Sequence, residues 1–269
     1  MRLPERITPF YFGEGQKHLF GCYHEPTGVT GSDCAFVICQ PIGHEYIASH
    51  RALRQLASRL SDAGFPVLRF DYYGCGDSAG EAEEAGISRW LADVSAAIVQ
   101  VKHRSRSSRV CLIGLRLGAA LSMITGAARD DIDGLVLWDP VLAGKRYVEE
   151  LRSLQKQMLR FRPKQKGSAN SDDYIDILGF PISRDLQAGI ENINLLATGT
   201  PSANHILLIK TDAAGNTERF RDYLAATDTH LEYRQLDTFQ VYLPTIDGSL
   251  PVPSQLLQSI VAWARKNYS

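Results

Sequence analysis

The stretch GLRLGAA (114–120) follows a short apolar run, RVCLIG (109–114), and passes into LSMITGAARD (121–130), whose apolar residues recur with helical period. A strand, a Gly-x-x-x-Gly turn and a helix make the frame of a nucleophile elbow, where a strained central residue, normally serine, is displayed at the sheet's edge. Gly114, Gly118, Ala119 and Ala120 supply the small neighbours that such a turn needs. The central position is Arg116. A guanidinium stays protonated and offers only donors, so it is neither a nucleophile nor a base.

Outward from the elbow the pattern is of strands alternating with helices. FYFGEG and KHLFGCYHEP read as a strand pair near the start, punctuated by Gly and Pro. DCAFVICQP (33–41) is a continuous apolar run ending at Pro, as in a strand buried on both faces. Leu53, Leu56, Ala57 and Leu60 mark a helix closed by Gly64, and FPVLRFD (65–71) is the next strand, ending in the turn-rich YYGCGDSAG. Ile87, Trp90, Leu91, Val94, Ile98 and Val101 mark an amphipathic helix, and GLVLWDP (134–140) follows the elbow helix as a strand. HILLIKTD (205–212), HLEYRQL (230–236) and SQLLQSIVAWARK (254–266) continue the alternation. Alternation of this kind predicts parallel pairing with right-handed crossovers, with sites at the strands' carboxyl ends. The rhythm breaks over about 141–196, an interval too long for a loop, which predicts a helical cap inserted over the sheet of a single domain.

The 269 residues suffice for one large α/β domain, and 44% hydrophobic with 22% charged residues is ordinary for a soluble globular chain. A net charge of −1 supplies no drive toward nucleic acid or a membrane surface. Cys22, Cys34, Cys39, Cys75 and Cys111 are odd in number and form no C-x-x-C, the usage of small reduced thiols. The opening MRLPERITPF has no apolar leader core, and no run approaches eighteen apolar residues, so a cytoplasmic protein without a membrane span is expected. No phosphate loop, nucleotide fingerprint or metal-spaced set occurs, so neither cofactor nor metal is expected.

With GLRLG on its turn, the chain resembles the α/β-hydrolase superfamily, nearest its serine-aminopeptidase-like and monoacylglycerol-lipase-like branch. QPIGHEY (40–46) stands where the oxyanion loop belongs, FDYYGCGDSAG is similar to the F-D-x-x-G-x-G-x-S turn, and LLIKTDAAG (207–215) stands where the acid belongs. GHEYIASHRALRQLA (43–57) and VLRFDYYGCGDSAG (67–80) further resemble hydrolase-like proteins found beside exosortase and natural-product genes, many with Arg at the elbow. The likeness covers essentially the whole chain and implies an α/β-hydrolase fold: a mostly parallel, doubly wound sheet with a helical cap. It also implies Asp212 as the acid, with Asp139 a second place for one, and a histidine after the last strand. From Leu236 to the terminal helix the chain reads LDTFQVYLPTIDGSLPVP, without histidine, and His230 opens the preceding strand at the opposite end of the sheet. Nucleophile and base are both missing from their places, which argues against Ser-His-Asp chemistry.

Backbone donors do not depend on side chains, so the amides of Leu117 and of Ile42 or Gly43 can still form an oxyanion hole. Arg116 either grips a ligand carboxylate or phosphate with bidentate geometry or is neutralised internally by Asp139, Asp212 or Glu45. His44 is either a relocated general base oriented by Glu45 or a residue that orders its loop. Cys75 as a substitute nucleophile lacks a nearby histidine, while Asp71, Asp77 and Ser78 suit turn anchors better than acids. The basic run LRFRPKQK (159–166) is either a solvated helix face or a receiver for a carrier protein, with the small-molecule ligand carrier-bound, or for an acidic ligand, and Leu154, Met158 and Phe161 suit closure over the sheet. Two functions follow. One is hydrolysis or acyl transfer on an acyl, ester or carboxylate-bearing small molecule, with Arg116 and Asp139 contacting substrate and His44, Glu45 and Asp212 moving protons. The other is a catalytically silent binding or accessory module.

Overall fold

The computed structural model describes all residues except 1–5, 14, 16, 28–31, 160–173, 212–216 and 246–247. Strands β1 (Ile7–Phe12) and β2 (Leu19–His24) form an antiparallel hairpin in which Ile7 faces His24. They are followed by β3 (Cys34–Cys39), helix α1 (Gly43–Asp62), β4 (Val67–Phe70), α2 (Ile87–Ser105), β5 (Arg109–Leu115) and α3 (Leu117–Ala127). Strand β6 (Gly134–Trp138) leads into α4 (Gly144–Leu159), the small hairpin β7 (Tyr174–Ile177) and β8 (Phe180–Ser183), and α5 (Arg184–Glu191). The chain closes with β9 (His205–Lys210), α6 (Glu218–Ala225), β10 (His230–Gln235) and α7 (Ser254–Tyr268).

One eight-stranded sheet carries the order β1-β2-β4-β3-β5-β6-β9-β10. Pairing is parallel from β4 to β10, and β2, antiparallel to both β1 and β4, alone runs against the other strands of the sheet. That is the doubly wound sheet the sequence predicts. Every residue of β3 and β6 is buried, because helices cover both faces and remove the alternation that a one-sided strand would need. On one face Val37, Leu112 and Leu137 pack among Trp90, Val94 and Leu121 from α2 and α3. On the other, Phe36, Ile113 and Val136 pack against Leu56, Ile260 and Trp263 from α1 and α7.

The segment between β6 and β9 joins the first core rather than forming its own. Tyr147, Val148 and Leu151 of α4, Ile177 and Ile182 of the hairpin and Leu186 of α5 are all buried in it. Each such apolar side chain contributes about 1.5–3 kcal/mol by leaving water, which seats α4 and the hairpin above the carboxyl ends of the strands. The expected helical cap thus includes a β-hairpin, whose strands are divided by a tight turn at Leu178 (φ 59°) and Gly179 (φ 89°). All five cysteines are free.

Candidate functional site

The elbow is built as the sequence requires. Arg116 sits between β5 and α3 at φ 54°, ψ −117°, a conformation that L-residues seldom adopt. Its amide donates to the Trp138 carbonyl at 3.0 Å, and its carbonyl accepts from Val141 at 3.2 Å, so β6 over-determines the strained turn. The glycines leave no alternative. A Cβ on Gly118 would stand 2.1 Å from the Cys39 carbonyl oxygen, and one on Gly114 2.3 Å from Ala119 Cα. Helix and strand therefore approach too closely for any larger residue.

Arg116 points into a shell of carboxylates and rings. Its Nε donates to Glu45 Oε1 at 3.0 Å and its Nη2 to Glu150 Oε2 at 2.9 Å. The guanidinium carbon lies 4.5 Å from the Tyr242 ring centre and 5.3 Å from that of Tyr147. Tyr147 also donates its hydroxyl to Glu45 Oε2 at 2.8 Å, so both Glu45 oxygens are taken. The two carboxylates differ. The Glu45 side chain is 2% exposed and the Glu150 side chain 45%, and Glu150 also accepts from Arg146 at 3.3 Å. Burial lifts the Glu45 carboxyl above its ordinary range, although Arg116 and Tyr147 pull against it. Burial likewise opposes the Arg116 charge, but Glu45 and the surrounding oxygens outweigh it and hold the guanidinium well above its usual value.

The loop after β3 supplies the neighbours expected of it. Ile42 caps α1, and Gly43 takes φ 58°, which a glycine tolerates and other residues resist. The amides of Ile42, Gly43 and Leu117 carry no hydrogen bond to a described residue, leaving donors at the start of two helices. His44 and Glu45 are not hydrogen-bonded to each other, and the buried Nε2 of His44 has no partner among the described residues. Burial first, then the Arg116 charge, lowers its pKa to about 4, so the ring is neutral at pH 7. Asp139, at φ 43° after β6, accepts from the Thr211 amide at 2.7 Å and from the Thr211 hydroxyl. Asp212 lies outside the described residues, as do Phe161 and the basic run beyond Leu159.

The turn after β4 is held as anchors would hold it. Asp71 accepts from Gln40 at 2.7 Å, from the Tyr46 hydroxyl at 3.3 Å and from the Asp77 amide at 3.1 Å. The Ser78 hydroxyl donates to the Asp71 carbonyl at 2.6 Å. The Cys75 thiol is pushed up to about 12 by burial, far from a reactive thiolate.

Three cavities adjoin the elbow. The first, about 320 Å³ and mostly apolar, is walled by Ile42, Tyr72, Trp90, Leu151, Phe180 and Leu186. The second, about 230 Å³, is lined by Arg116, Glu45, Glu150, Leu154 and Tyr242. His44 and Leu151 line both, so the two cavities are neighbours there. The third, about 240 Å³, shares Arg116 and Glu150 with the second and is further lined by Asp139, Arg146, Lys210 and Arg219. Among the described residues no group of three or more His, Cys, Asp and Glu side chains is placed to hold a metal ion. No helix among them is long and apolar enough to cross a membrane.

Sequence reading missed three members of the site. Glu150 and Tyr147 share a helical face at i, i+3, a signal that α4 presents them together but not to what. Tyr242 comes from the loop after β10, where a histidine is looked for, and only folding reveals that its ring covers Arg116.

A parallel sheet wrapped by helices, with a strained strand-to-helix turn at its carboxyl edge, defines an α/β-hydrolase fold. The chain belongs to the serine aminopeptidase S33 family, whose match spans residues 41–179. Human protein ABHD12B is 32% identical over 137 residues, covering 49% of this chain, and the match spans only 36% of that protein's length. Among solved structures, the fold is similar to Est1E from Butyrivibrio proteoclasticus with ferulic acid bound (TM-score 0.69, 16% identity, 96% of this chain and 98% of that one). It is also similar to the esterase Pf2001 of Pyrococcus furiosus (TM-score 0.68, 16% identity, 98% and 92%). Mouse α/β-hydrolase domain-containing protein 10 follows at a TM-score of 0.57 and 17% identity, covering 96% and 99%.

Proposed function

We propose that this chain is a non-covalent binding member of its family, which holds an apolar small molecule through a carboxylate or acyl oxygen at Arg116. The observation that carries this reading is the unequal pairing of Arg116. Glu45 is buried and locked by Tyr147, whereas Glu150 is nearly half exposed and has Arg146 as a second partner. An incoming carboxylate can take the place of Glu150 on Nη2 without disturbing the buried pair. The ligand body enters the apolar cavity under the β7–β8 hairpin, past His44 and Leu151. The amides of Leu117 and of Ile42 or Gly43 receive a second oxygen, and Asp139 holds the β9 end of the pocket in shape through Thr211. Est1E, with ferulic acid in its structure, gives an aromatic acid as one ligand of suitable shape.

A second reading, hydrolysis or acyl transfer, is favoured by one observation: the buried Nε2 of His44 has no partner among the described residues. A base with a pKa near 4 is poorly matched to proton abstraction at neutral pH, which places this reading second.

Calorimetric titration with octanoate separates them. The wild type binds, and Glu150→Gln binds more tightly because the internal competitor has lost its charge. The pair Arg116→Met with Glu45→Gln, which leaves no buried carboxylate alone, binds roughly ten- to a hundred-fold more weakly, the value of charge-assisted bonds of about 1.5–3 kcal/mol. Equal affinity in wild type and double variant overturns the proposal. Steady turnover of octanoyl esters would support the second reading.

A further inference from the structure

A fourth cavity, about 320 Å³, lies away from Arg116, between α1 and the β2–β4 pairing. The two stretches GHEYIASHRALRQLA and VLRFDYYGCGDSAG meet there. Tyr46, His50 and Arg54 recur every four residues along α1 and line one wall, while Arg69 of β4, opposite Cys22 of β2, lines the floor. Asp71 closes the top, its carboxylate already engaged by Gln40, Tyr46 and the Asp77 amide.

Arg69 is an anomaly of this sheet. It is half-buried in a strand, yet among the described residues no carboxylate lies within ion-pair distance of it. Among the described residues its one hydrogen bond runs from Nε to His24 Nε2 at 3.1 Å, and neither terminal nitrogen has a partner there. Burial, with Arg54 adding to it, depresses the guanidinium pKa, although Cys22, Tyr46 and Asp71 pull against it. Arg54 across the cavity likewise has no ion pair among the described residues. A half-buried cation with no direct ion pair is stabilised by an anion that reaches it, and the cavity lets one approach Arg69.

We infer that this cavity is a second ligand site, which takes a small organic carboxylate between the terminal nitrogens of Arg69 and the Arg54 side chain. Ile7, Phe20 and Phe70 supply apolar wall for the body of the ligand. Asp71 and Asp77 also line the cavity and disfavour a doubly charged phosphate more than a singly charged carboxylate.

The test uses 4-iodobenzoate on the Arg116→Met/Glu45→Gln protein, in which the elbow site is removed, so that failure here and failure of the elbow reading are distinguishable. Binding should persist in that background. Arg69→Gln, which keeps an amide donor for His24, should weaken it roughly ten- to a hundred-fold, as expected for charge-assisted bonds. Arg54→Gln, an exposed change that leaves the core untouched, should weaken it by a smaller factor. The iodine's anomalous peak should fall between α1 and β4. Unchanged affinity in both Arg54→Gln and Arg69→Gln, an anomalous peak elsewhere, or inorganic phosphate competing as well as benzoate would overturn the inference.

Discussion

Replacing Arg116 by Met keeps a Cβ at the strained turn and a long apolar stem between the two tyrosine rings, so the backbone cost at φ 54° is unchanged. What is lost is the counter-ion of Glu45. That carboxylate, 2% exposed, would retain only the Tyr147 hydroxyl. Breaking a buried pair by removing one partner costs about 3–5 kcal/mol, whereas neutralising both partners is often close to neutral. At about 2.1 cal/mol/K of unfolding entropy per residue, this chain should lose roughly 2 °C of Tm per kcal/mol, so Arg116→Met should melt about 6–10 °C lower at pH 7. Adding Glu45→Gln, which removes the charge but keeps an acceptor for Tyr147, should restore most of the loss. Glu150→Gln should cost no more than about 1 kcal/mol, since its side chain is 45% exposed. The sign with pH is also fixed. In Arg116→Met the Glu45 pKa rises further above its unfolded value, so its stabilising protonated form is complete below about pH 4.5 and lost as pH rises. The deficit should therefore shrink toward pH 5. Thermal and urea unfolding of the four proteins measure all of this. If Arg116→Met loses less than about 1 kcal/mol, or if the double variant is as unstable as the single, the pair is not the buried pin described above.

Fluorophosphonate should label no serine stoichiometrically, and Arg116→Ser should gain no robust esterase activity, because the loop after β10 offers tyrosine and leucine to the elbow but no histidine. Base assistance is typically worth about 10²–10⁴-fold, so a fast Arg116→Ser esterase would mean that His44 reaches the new hydroxyl. His44 has a folded pKa near 4 against about 6.5 unfolded, so its contribution is present above pH 6.5 and lost as pH falls toward 4, to the extent of about 3 kcal/mol. His44→Gln should flatten that part of the stability curve, and parallel urea profiles for the two proteins from pH 7 to 4 would contradict it.

The fold was legible because its signals are local. Apolar runs buried on both faces, the 3.6-residue period of α1 and α2, and the Gly-x-x-x-Gly turn each depend on a few neighbouring residues. The turn that divides the β7–β8 hairpin was less visible, since Leu178 carries a positive φ that its residue type does not announce. At the site, Glu45 could be named as a counter-ion because the oxyanion loop and the elbow share one edge of the sheet. Glu150 and Tyr242 could not. They reach Arg116 from α4 and from an irregular loop, across 34 and 126 residues of sequence, and no local pattern encodes which side of such a segment faces inward. The pairing of Asp139 with Thr211 is equally non-local: both were visible at strand ends, but only register sets them side by side.

The proposed exchange, in which Arg116 Nη2 gives up the half-exposed Glu150 carboxylate for one from a ligand, is the central claim. A crystal structure with octanoate bound tests it most directly. The account predicts a ligand oxygen within about 3 Å of Arg116 Nη2, the Glu150 side chain turned away toward Arg146, and the alkyl chain running past His44 into the apolar cavity beneath the hairpin. Octanoate seated elsewhere with the Arg116–Glu150 bond intact would contradict it.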